Sequence, residues 1–349
     1  MIDPMVQTPA PMPGRARDPV MTDVASLAGV SHQTVSRVLN NHPNVREHTR
    51  ARVLAAIAEL GYRPNRAAKA LVTGRSQTLG VVAQSSTLFG PASLLTAFAD
   101  AAAEAGFAVS VATIKDLDRE SFRGAVERHR DQRVAGIVVI APVAAANDAI
   151  LAVEPDMPVV TIDGDPELRR HLVTVDQQEG ARLATRHLLD AGHATVWHVS
   201  GRAEWFDSRG RIEGWRATLE AAGLEVPPVL TGDWSAAAGY QAGLVIARMR
   251  EATAVFAAND HLALGILRAL HERGRRVPEE VSVVGFDDVP EAAYFIPPLT
   301  TVRQDFVAVA RAGLGSILRQ ISGDDTEPRQ TAIAPVLVER ASVAPPPGR

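Results

Sequence analysis

Two patterns of apolar and polar positions follow one another along the chain. Between residues 20 and 62, apolar residues recur every three or four positions over short stretches, which is the spacing of amphipathic helices. From residue 78 onward, short runs of consecutive apolar and β-branched residues alternate with longer stretches of helical periodicity. Such runs are typical of parallel strands that are buried on both faces. The pattern predicts a small all-α module followed by a larger α/β body.

The first module has the pattern of a helix-turn-helix. The segment VMTDVASLAGVSHQTVSRVLNN, residues 20–41, predicts two short helices that meet at Gly29. Glycine adopts the left-handed conformation of a sharp corner at no steric cost, and Ser31 is a good N-cap for the second helix. A third helix over 46–62 has an apolar face that closes a three-helix core. We expect this helix-turn-helix domain to cover 19–62.

The second helix of this module carries several hydrogen-bonding side chains. Side chains of this kind can contact base edges or phosphates in a major groove of DNA. A helix-turn-helix can also be a simple packing corner, so the motif alone leaves both interpretations open. The candidate DNA-contacting residues are His32, Gln33, Ser36 and Arg37.

The segment RPNRAAKAL, residues 63–71, favours the DNA-binding interpretation. Pro64 suits the first turn of a helix, but two turns fall short of the roughly 12–15 residues that a helix needs to persist alone in water. Something else must therefore supply the missing free energy. Arg66 can contact phosphates, and Leu71 can act as a wedge in a minor groove. The alternative is a linker helix that packs on the next domain.

The body contains two sets of about four apolar runs. Two such sets predict two doubly wound subdomains with parallel sheets, together covering 78–344. Ligands in such folds bind beyond the carboxyl ends of the strands. The predicted strands are 78–85, 108–114, 136–142 and 158–163 in the first set, and 195–201, 228–233, 254–260 and 281–288 in the second.

Polar side chains follow directly after several of these runs, and two polar-aromatic stretches, WFDSRGR and GDWSAAAGY, lie nearby. Carboxylates and amides pair with vicinal hydroxyls, arginine donates hydrogen bonds in a fork, and aromatic faces cover the apolar side of a sugar ring. The set predicts a carbohydrate cleft, although any one of these residues can simply mark a strand end. The candidates are Asp163, Trp205, Asp207, Arg211, Trp234, Asn259 and Asp287.

Composition and charge narrow the class of protein. The 349 residues are 46% hydrophobic and 22% charged, which is typical of a folded globular chain. No apolar run approaches the roughly 20 residues of a membrane span, and the N-terminus lacks a signal-peptide core. Without cysteines there are no disulfides or thiolate metal sites, so a reducing cytoplasm is expected. Residues 1–76 carry a net +5 in a chain of −4, which favours a basic head that faces phosphates.

Both modules resemble the lactose/galactose repressor (LacI/GalR) family of transcriptional regulators. The head shares Val24-Ala25, Gly29-Val30-Ser31, the run TVSRVLN at 34–40, Gly61-Tyr62 and Pro64-Asn65, and the body shares GDWSAAAGYQ, AANDHLALG, SVVGFDD and YFIPPLTTVRQDF. The resemblance implies that the second helix enters the major groove. It also implies that Asn65 and Arg66 belong to a hinge helix that forms only on operator DNA, where Leu71 opens a central base step.

The resemblance also adds residues to the cleft. It implies that Asp163, Arg211, Asn259 and Asp287 bind sugar hydroxyls, that Trp234 and Phe306 pack on the ring, and that Gln304 lines the cleft. It further implies that Leu88 and Pro91 meet the apolar group of a glycoside. His261, a further candidate ligand-binding residue, stands where a resembled protein has an amide, and Phe286 stands where it has a tyrosine. These departures leave the identity of the ligand open.

The expected function is that of a sequence-specific repressor that a small, galactoside-like sugar releases from operator DNA. The C-terminal PPPGR lacks a heptad repeat, so we expect a homodimer, located in the cytoplasm with the nucleoid. One alternative is a co-repressor-type regulator whose ligand is a purine or a sugar phosphate. A less favoured one is a sugar-binding protein without a DNA role.

An enzyme is not expected. The chain has no G-x-G-x-x-G, P-loop or G-x-S-x-G motif. The histidines at 187, 193 and 198 lack the spacing of metal ligands, so neither a metal nor a cofactor is predicted. The expected division of the chain is a disordered tail over 1–18, the helix-turn-helix domain over 19–62, a hinge helix and linker over 63–77, the core over 78–344 and a tail over 345–349.

Overall fold

A computed structural model describes most of the chain. The described residues are 19–39, 42–62, 76–84, 88–115, 118–140, 142–151, 153, 157–168, 170–324 and 327–347. The chain divides into two compact units, Met1–Arg75 and Ser76–Arg349. The predicted N-terminal tail and the hinge residues Asn65, Arg66 and Leu71 lie outside the described residues.

The first unit contains three helices: α1 (Met21–Ala28), α2 (His32–Leu39) and α3 (Glu47–Leu60). The corner between α1 and α2 forms at Gly29, whose φ of 60° lies in the left-handed region. Ser31 caps α2, because its Oγ accepts a hydrogen bond from the backbone N–H of Thr34 at 3.2 Å. Arg52 on α3 donates to the carbonyl of Gly29 at 3.2 Å and fastens the corner to the third helix. These contacts confirm the predicted helix-turn-helix.

The core of this unit is small and made of short side chains. Its buried residues are Val24, Ala25, Ala28, Val35, Val38, Val53, Ala56 and Tyr62. The valines of α2 point inward, so the opposite side of that helix is left for polar residues. His32, Gln33 and Arg37 are exposed there, and Ser36 is half-buried. The helix therefore presents its hydrogen-bonding side chains to the outside of the unit.

The second unit contains two six-stranded sheets. The first sheet has the order β11-β5-β4-β3-β1-β2, and all its strands are parallel. Its strands are β1 (Thr78–Gln84), β2 (Ala108–Ile114), β3 (Gly136–Ile140), β4 (Val159–Ile162), β5 (His171–Val175) and β11 (Gln330–Ile333).

The second sheet has the order β12-β10-β9-β8-β6-β7. Its strands are parallel except at one edge, where β12 runs antiparallel to β10. Its strands are β6 (Trp197–Ser200), β7 (Leu230–Thr231), β8 (Ala254–Ala257), β9 (Ser282–Asp287), β10 (Thr300–Arg303) and β12 (Val336–Val338).

Helices cover the faces of both sheets, as expected for parallel strands that are buried on two sides. Those of the first part are α4 (Phe89–Glu104), α5 (Arg119–Asp131) and the short α6 (Asn147–Leu151). Those that follow are α7 (Gln177–Asp190), α8 (Phe206–Ala221), α9 (Ala236–Ile246), α10 (Asp260–Glu272) and α11 (Phe306–Ser322). Short 3₁₀ helices form at Ala144–Ala146 and Pro290–Tyr294. No helix among the described residues is long and apolar enough to span a membrane.

The chain crosses between the two subdomains three times. It first leaves the first sheet after β5 and enters α7, which packs on strands of the second sheet. After β10 it returns to α11, which packs on β3, β4 and β5, and then forms β11. It crosses back a third time to form β12. Each subdomain is therefore built from separate parts of the chain.

This topology confirms the predicted pair of doubly wound subdomains but adds strands to it. Each of the eight predicted runs contains a strand, and four more strands, β5, β10, β11 and β12, complete the sheets. β11 and β12 lie at sheet edges and are largely exposed, so they lack the continuous apolar pattern of a buried strand. The prediction of eight strands was therefore incomplete.

Candidate functional site

A cavity lies between the two subdomains of the body, beyond the carboxyl ends of their parallel strands. Its empty space is about 510 Å³ when the open mouth is included, of which about 40 Å³ can hold the centre of a water molecule. Its wall comprises Leu88, Phe89, Gly90, Pro91, Ile140, Pro142 and Asp163 from the first subdomain, Trp205, Asp207, Arg211, Trp234, Asn259 and Asp287 from the second, and Gln304 and Phe306 from the second crossing. Both subdomains contribute to one site.

The cavity brings together eleven of the twelve predicted ligand-binding residues. The exception is His261, which the wall does not include. Asn259 caps α10 by accepting a hydrogen bond from the backbone N–H of Leu262 at 2.8 Å, and His261 is the second residue of that helix. The ligand-binding roles of all twelve residues stay predictions.

Arg211 is the central cation of the wall and is only 2% exposed. Its Nε donates to the Oε1 of Gln177 at 2.9 Å, and one terminal nitrogen donates to the carbonyl of Ala258. The other terminal nitrogen lies 3.9 Å from Oδ1 of Asp287. The guanidinium also stacks over the ring of Phe286, 3.8 Å from its centroid. These contacts fix the arginine in one orientation.

A chain of hydrogen bonds joins this arginine to two of the crossings. Gln177, at the start of α7, donates from Nε2 to Oε1 of Gln304 at 3.2 Å. Gln304 in turn donates from Nε2 to Oδ1 of Asp287 at 2.7 Å. Burial raises the pKa of Asp287 to about 6, although Arg211 and the amide of Gln304 oppose the shift. The four residues Arg211, Gln177, Gln304 and Asp287 form one connected network, called the arginine network below.

Two further carboxyl groups face the cavity from opposite subdomains. Asp163 follows β4, and Thr174 donates from Oγ1 to its Oδ1 at 3.1 Å. Burial, with a further contribution from the carboxylate of Asp207, raises the pKa of Asp163 to about 7. Asp207 lies in the first turn of α8, and burial raises its pKa too, with Arg211 acting against the shift. The two carboxyl groups are therefore close enough to affect one another.

Aromatic rings make up much of the remaining wall. The rings of Trp205 and Trp234 lie 5.6 Å apart between centroids, and those of Phe89 and Phe306 lie 6.0 Å apart with an edge-to-face orientation. The indole N–H groups of both tryptophans are buried and find no acceptor in the part of the chain that the structure describes. Buried indole N–H groups usually have a partner, so these two are available to a bound molecule.

Asn259 uses both ends of its side-chain amide in contacts with the protein. Its Nδ2 donates to the carbonyl of Trp234 at 3.2 Å, and its Oδ1 caps α10. Both ends of the side chain therefore hold the protein together. Asn259 positions the loop that carries Trp234 and keeps limited capacity for a ligand.

The backbone is strained at three residues of the wall. Asp163, Trp234 and Asp287 have φ values of 53°, 77° and 109°. Residues other than glycine rarely adopt positive φ, and such conformations concentrate at binding and active sites. This signal adds to the cavity as a marker of the site.

The adjacent Asp287 and Asp288 do not form a pair of carboxylates in one site. Asp288 accepts a hydrogen bond from Arg340 at 2.6 Å and lies 3.7 Å from Arg303, outside the cavity wall. Among the described residues, no group of three or more histidine, aspartate or glutamate side chains has a metal-binding arrangement. The cavity as described is suited to binding by hydrogen bonds and ring stacking.

Several wall residues were missed by sequence reasoning. Phe89, Gly90, Ile140 and Pro142 line the cavity, and Gln177 holds Arg211 from behind. Ile140 is the last residue of β3, so the strand-end rule that found Asp163 could have found it, had apolar residues been considered. Gln177 follows β5, a strand that was not predicted.

Comparison with known proteins shows the family. Residues 20–65 match the model of bacterial regulatory proteins of the lacI family, and residues 185–343 match a periplasmic binding protein-like domain. The lactose operon repressor of Escherichia coli (strain K12) is 34% identical over 329 residues, covering 93% of this chain and 90% of that protein. The chain belongs to the lacI family of bacterial regulatory proteins.

Solved structures of LacI-family proteins are similar across both units. The lac repressor dimer bound to operator and the anti-inducer ONPF has a TM-score of 0.85 at 32% identity, covering 94% of this chain and 100% of that chain. A complex of the transcriptional regulator CelR with cellobiose has a TM-score of 0.70 at 32% identity, covering 93% and 99%. This LacI-family chain is thus a DNA-binding transcriptional regulator with a helix-turn-helix head. Its relatives are repressors and not enzymes.

Proposed function

We propose that this protein is a homodimeric repressor that a small sugar, of galactoside-like character, releases from operator DNA. The observation that carries the proposal is the composition of the cavity wall in a LacI-family chain. Carboxylates and a fixed arginine can bind hydroxyl groups, and Trp234 and Phe306 can stack on a sugar ring. The solved CelR complex with cellobiose supports a carbohydrate ligand for this fold.

The arginine network supports a route from the ligand to the subdomains. Gln177 and Gln304 lie at the first and second crossings, and both bond to residues of the wall. Hydroxyls that bind Arg211 and Asp287 would act directly on the chain segments about which the subdomains move. A differential binding energy of a few kcal/mol shifts a two-state population by one to two decades or more. Operator DNA must weaken sugar binding by the same factor.

For the DNA side, His32, Gln33, Ser36 and Arg37 are proposed to contact the operator from α2. Asn65, Arg66 and Leu71 are proposed to act in a hinge helix that orders on DNA, as their sequence indicates. This role requires access to the nucleoid and hence a cytoplasmic location. The division into tail 1–18, head 19–62, hinge and linker 63–77, core 78–344 and tail 345–349 belongs to the same proposal.

A titration of the protein–operator complex tests the function. Labelled operator DNA is bound, and galactosides, glucosides and nucleobases are added while fluorescence anisotropy is followed. The proposal expects release by a sugar. Tightening by a purine or a sugar phosphate would instead show co-repressor behaviour. Among the described residues, the cavity wall has three carboxyl groups and no lysine, which makes a phosphate ligand unfavourable.

A substitution in the hinge tests the DNA part separately. Leu71→Ala should weaken operator binding by about 10-fold or more while leaving sugar affinity unchanged, because the wedge contacts only DNA. Binding of operator and of sugar is measured on the same preparation. Equal operator affinity of the variant and the parent would contradict the wedge.

A further inference from the structure

The charges of the cavity wall do not balance. Three carboxyl groups, those of Asp163, Asp207 and Asp287, face one guanidinium, that of Arg211. Arg211 uses its Nε on Gln177 and one terminal nitrogen on Ala258, and its other terminal nitrogen is directed at Asp287. The charge of Arg211 also acts on Asp163 and Asp207, so within the described part of the wall one guanidinium is shared by three carboxyl groups.

These two carboxyl groups lie on opposite sides of the joint between the subdomains. Asp163 follows β4 of the first sheet, and Asp207 lies on α8 beside the second. The subdomains touch next to them, where the backbone N–H of Phe206 donates to the carbonyl of Pro142 at 2.8 Å. Trp205 also pairs with Val143 as an isolated β-bridge at this point. Two carboxyl groups thus lie on either side of a contact that the ligand is expected to control.

Ordinary structural roles do not remove the imbalance. Asp207 lies in the first turn of α8, where the partial positive charge of the helix N-terminus favours a carboxylate. Asp163 accepts hydrogen bonds from the neutral hydroxyl of Thr174 and from the backbone of Val175. None of these contacts supplies a full positive charge, and burial, which raises the pKa of both groups, disfavours two carboxylates at this place. A proton shared by the pair or a cationic group from outside would satisfy it.

The aromatic side chains beside the pair suit a cation of organic type. Trp205 is 3% and Trp234 is 4% exposed, and the indole N–H of each has no acceptor in the described part of the chain. The rings can cover an ammonium group by cation–π attraction. Their N–H groups can donate to hydroxyl oxygens of the same ligand. Both features call for a molecule that carries an amine and hydroxyls together.

We propose that the effector is an amino sugar whose protonated amine lies between Asp163 and Asp207 while its hydroxyls bind Arg211 and Asp287. This inference rests on the proposed function and narrows its ligand class. The ammonium would neutralise the two carboxylates, remove their repulsion across the joint and hold the subdomains together at Pro142 and Phe206. A neutral sugar would leave that repulsion in place.

The experiment compares sugars that differ only in charge. Binding to the full-length protein is measured by calorimetry for galactose and glucose, for the series in which each hydroxyl in turn is replaced by an amino group, and for the N-acetylated forms. Release of operator DNA is measured with the same set. At least one amino sugar should bind about 10- to 100-fold more tightly than its neutral parent, which is the worth of a charged hydrogen bond out of water. Acetylation should abolish the gain.

Substitutions of the two aspartates test where the amine of the sugar binds. In Asp207→Asn, the affinities for the amino sugar and for its neutral parent should differ by no more than about 3-fold. The same result is expected for Asp163→Asn, which removes the carboxylate on the other subdomain. Glu213→Gln is the matched control, because Glu213 is exposed on the same helix and outside the cavity wall. Operator binding without sugar checks that each variant is folded.

The outcomes separate this inference from the proposed function. If neutral sugars bind and release the operator as well as amino sugars do, the inference is wrong and the proposed function stands. If no sugar of either kind releases the operator, both are wrong. An amine preference that survives both Asp207→Asn and Asp163→Asn would contradict the placement. A preference that is lost in these variants and kept in Glu213→Gln would establish it.

Discussion

The two sides of the cavity differ in chemistry. The first subdomain supplies an apolar surface, built mainly from the start of α4 and the end of β3, and Asp163 is the one charged group among its described wall residues. The second subdomain supplies an arginine, two aspartates, an asparagine and two indoles. Polar recognition is thus concentrated on one side, and the other side provides shape and apolar contact. Substitutions on the two sides should therefore affect different parts of a ligand.

Several side-chain contacts hold the residues of the polar side in place. Arg211 is held by Gln177, the carbonyl of Ala258 and the ring of Phe286, and Asn259 ties α10 to the loop of Trp234. On the apolar side, α4 begins at Phe89, and the side chain of its N-cap, Leu88, makes no capping hydrogen bond.

The largest effect is expected from Arg211→Ala. The substitution removes the main hydroxyl-binding cation and leaves the buried carboxyl group of Asp287 without its partner, a loss that costs about 3–5 kcal/mol for buried pairs. Sugar affinity should fall by about 100-fold or more, and the repressor should no longer respond to its effector. Arg209→Ala is the control, since Arg209 is exposed on the same helix. An unchanged response in Arg211→Ala would show that the cavity is not the effector site.

The next largest effect is a dependence of the free energy of unfolding on pH. It tests the two aspartates with raised pKa values, one on each side of the cavity. The pKa of Asp163 is raised to about 7 and that of Asp287 to about 6, from a usual value of 3.8, by burial in both cases. Because the folded state binds protons more tightly, these groups lower the free energy of unfolding as the pH rises through that window. The resulting loss in the free energy of unfolding is complete above the pKa of the folded state and amounts to a few kcal/mol at most.

Denaturant unfolding of the parent and of two asparagine variants measures this dependence. The stability of the parent relative to Asp163→Asn should fall from about pH 4 to about pH 7 and then level off. The stability of the parent relative to Asp287→Asn should level off near pH 6. Parallel curves for parent and variant over the whole range would contradict the raised pKa values.

A smaller loss of sugar affinity than that of Arg211→Ala is expected from Gly201→Ala. A Cβ at this position would lie 2.1 Å from the indole of Trp234, which must then move. Overpacking of this kind costs about 1–3 kcal/mol, so sugar affinity should fall by roughly 10-fold. Ala203→Ser, in the exposed part of the same loop, is the control. Affinity that is the same in Gly201→Ala and the parent would mean that the indole does not contact the ligand.

The smallest effect is expected from Leu88→Ala on the apolar side. The side chain is half-buried and can contribute about 1 kcal/mol of apolar contact. Affinity for glycosides with an apolar group should fall by about 5-fold, while affinity for the free sugar should change by less than about 2-fold. An equal loss for both ligands would erase the distinction between the two sides.

Much of the polar side could be predicted from the sequence. The strand-end rule found Asp163 and Asp287 because apolar runs make parallel strands visible and their carboxyl ends meet at one edge. Arg211 and Asp207 were found because the stretch that carries them concentrates charge beside aromatic residues. The head could be predicted for a different reason: Gly29 and Ser31 determine the corner and the cap locally, without distant contacts.

The remainder depends on tertiary structure. Gln177 reaches Arg211 only because the chain crosses between subdomains after β5, and no local pattern reports that crossing. His261, a candidate by resemblance, is not part of the cavity wall, and its role stays a prediction. The double use of the Asn259 amide depends on where Trp234 lies. Positive φ at Asp163, Trp234 and Asp287 is likewise a property of the folded backbone.

That backbone strain bears on any attempt to retarget the protein to another inducer. Aspartate and asparagine tolerate the left-handed region better than bulky or β-branched residues do, so positions 163, 234 and 287 admit few replacements. Randomising them would yield mostly misfolded variants. Leu88, Trp205 and Asp207 face the same cavity and are absent from the residues with positive φ. A mutant library should therefore vary these three and leave the strained positions alone.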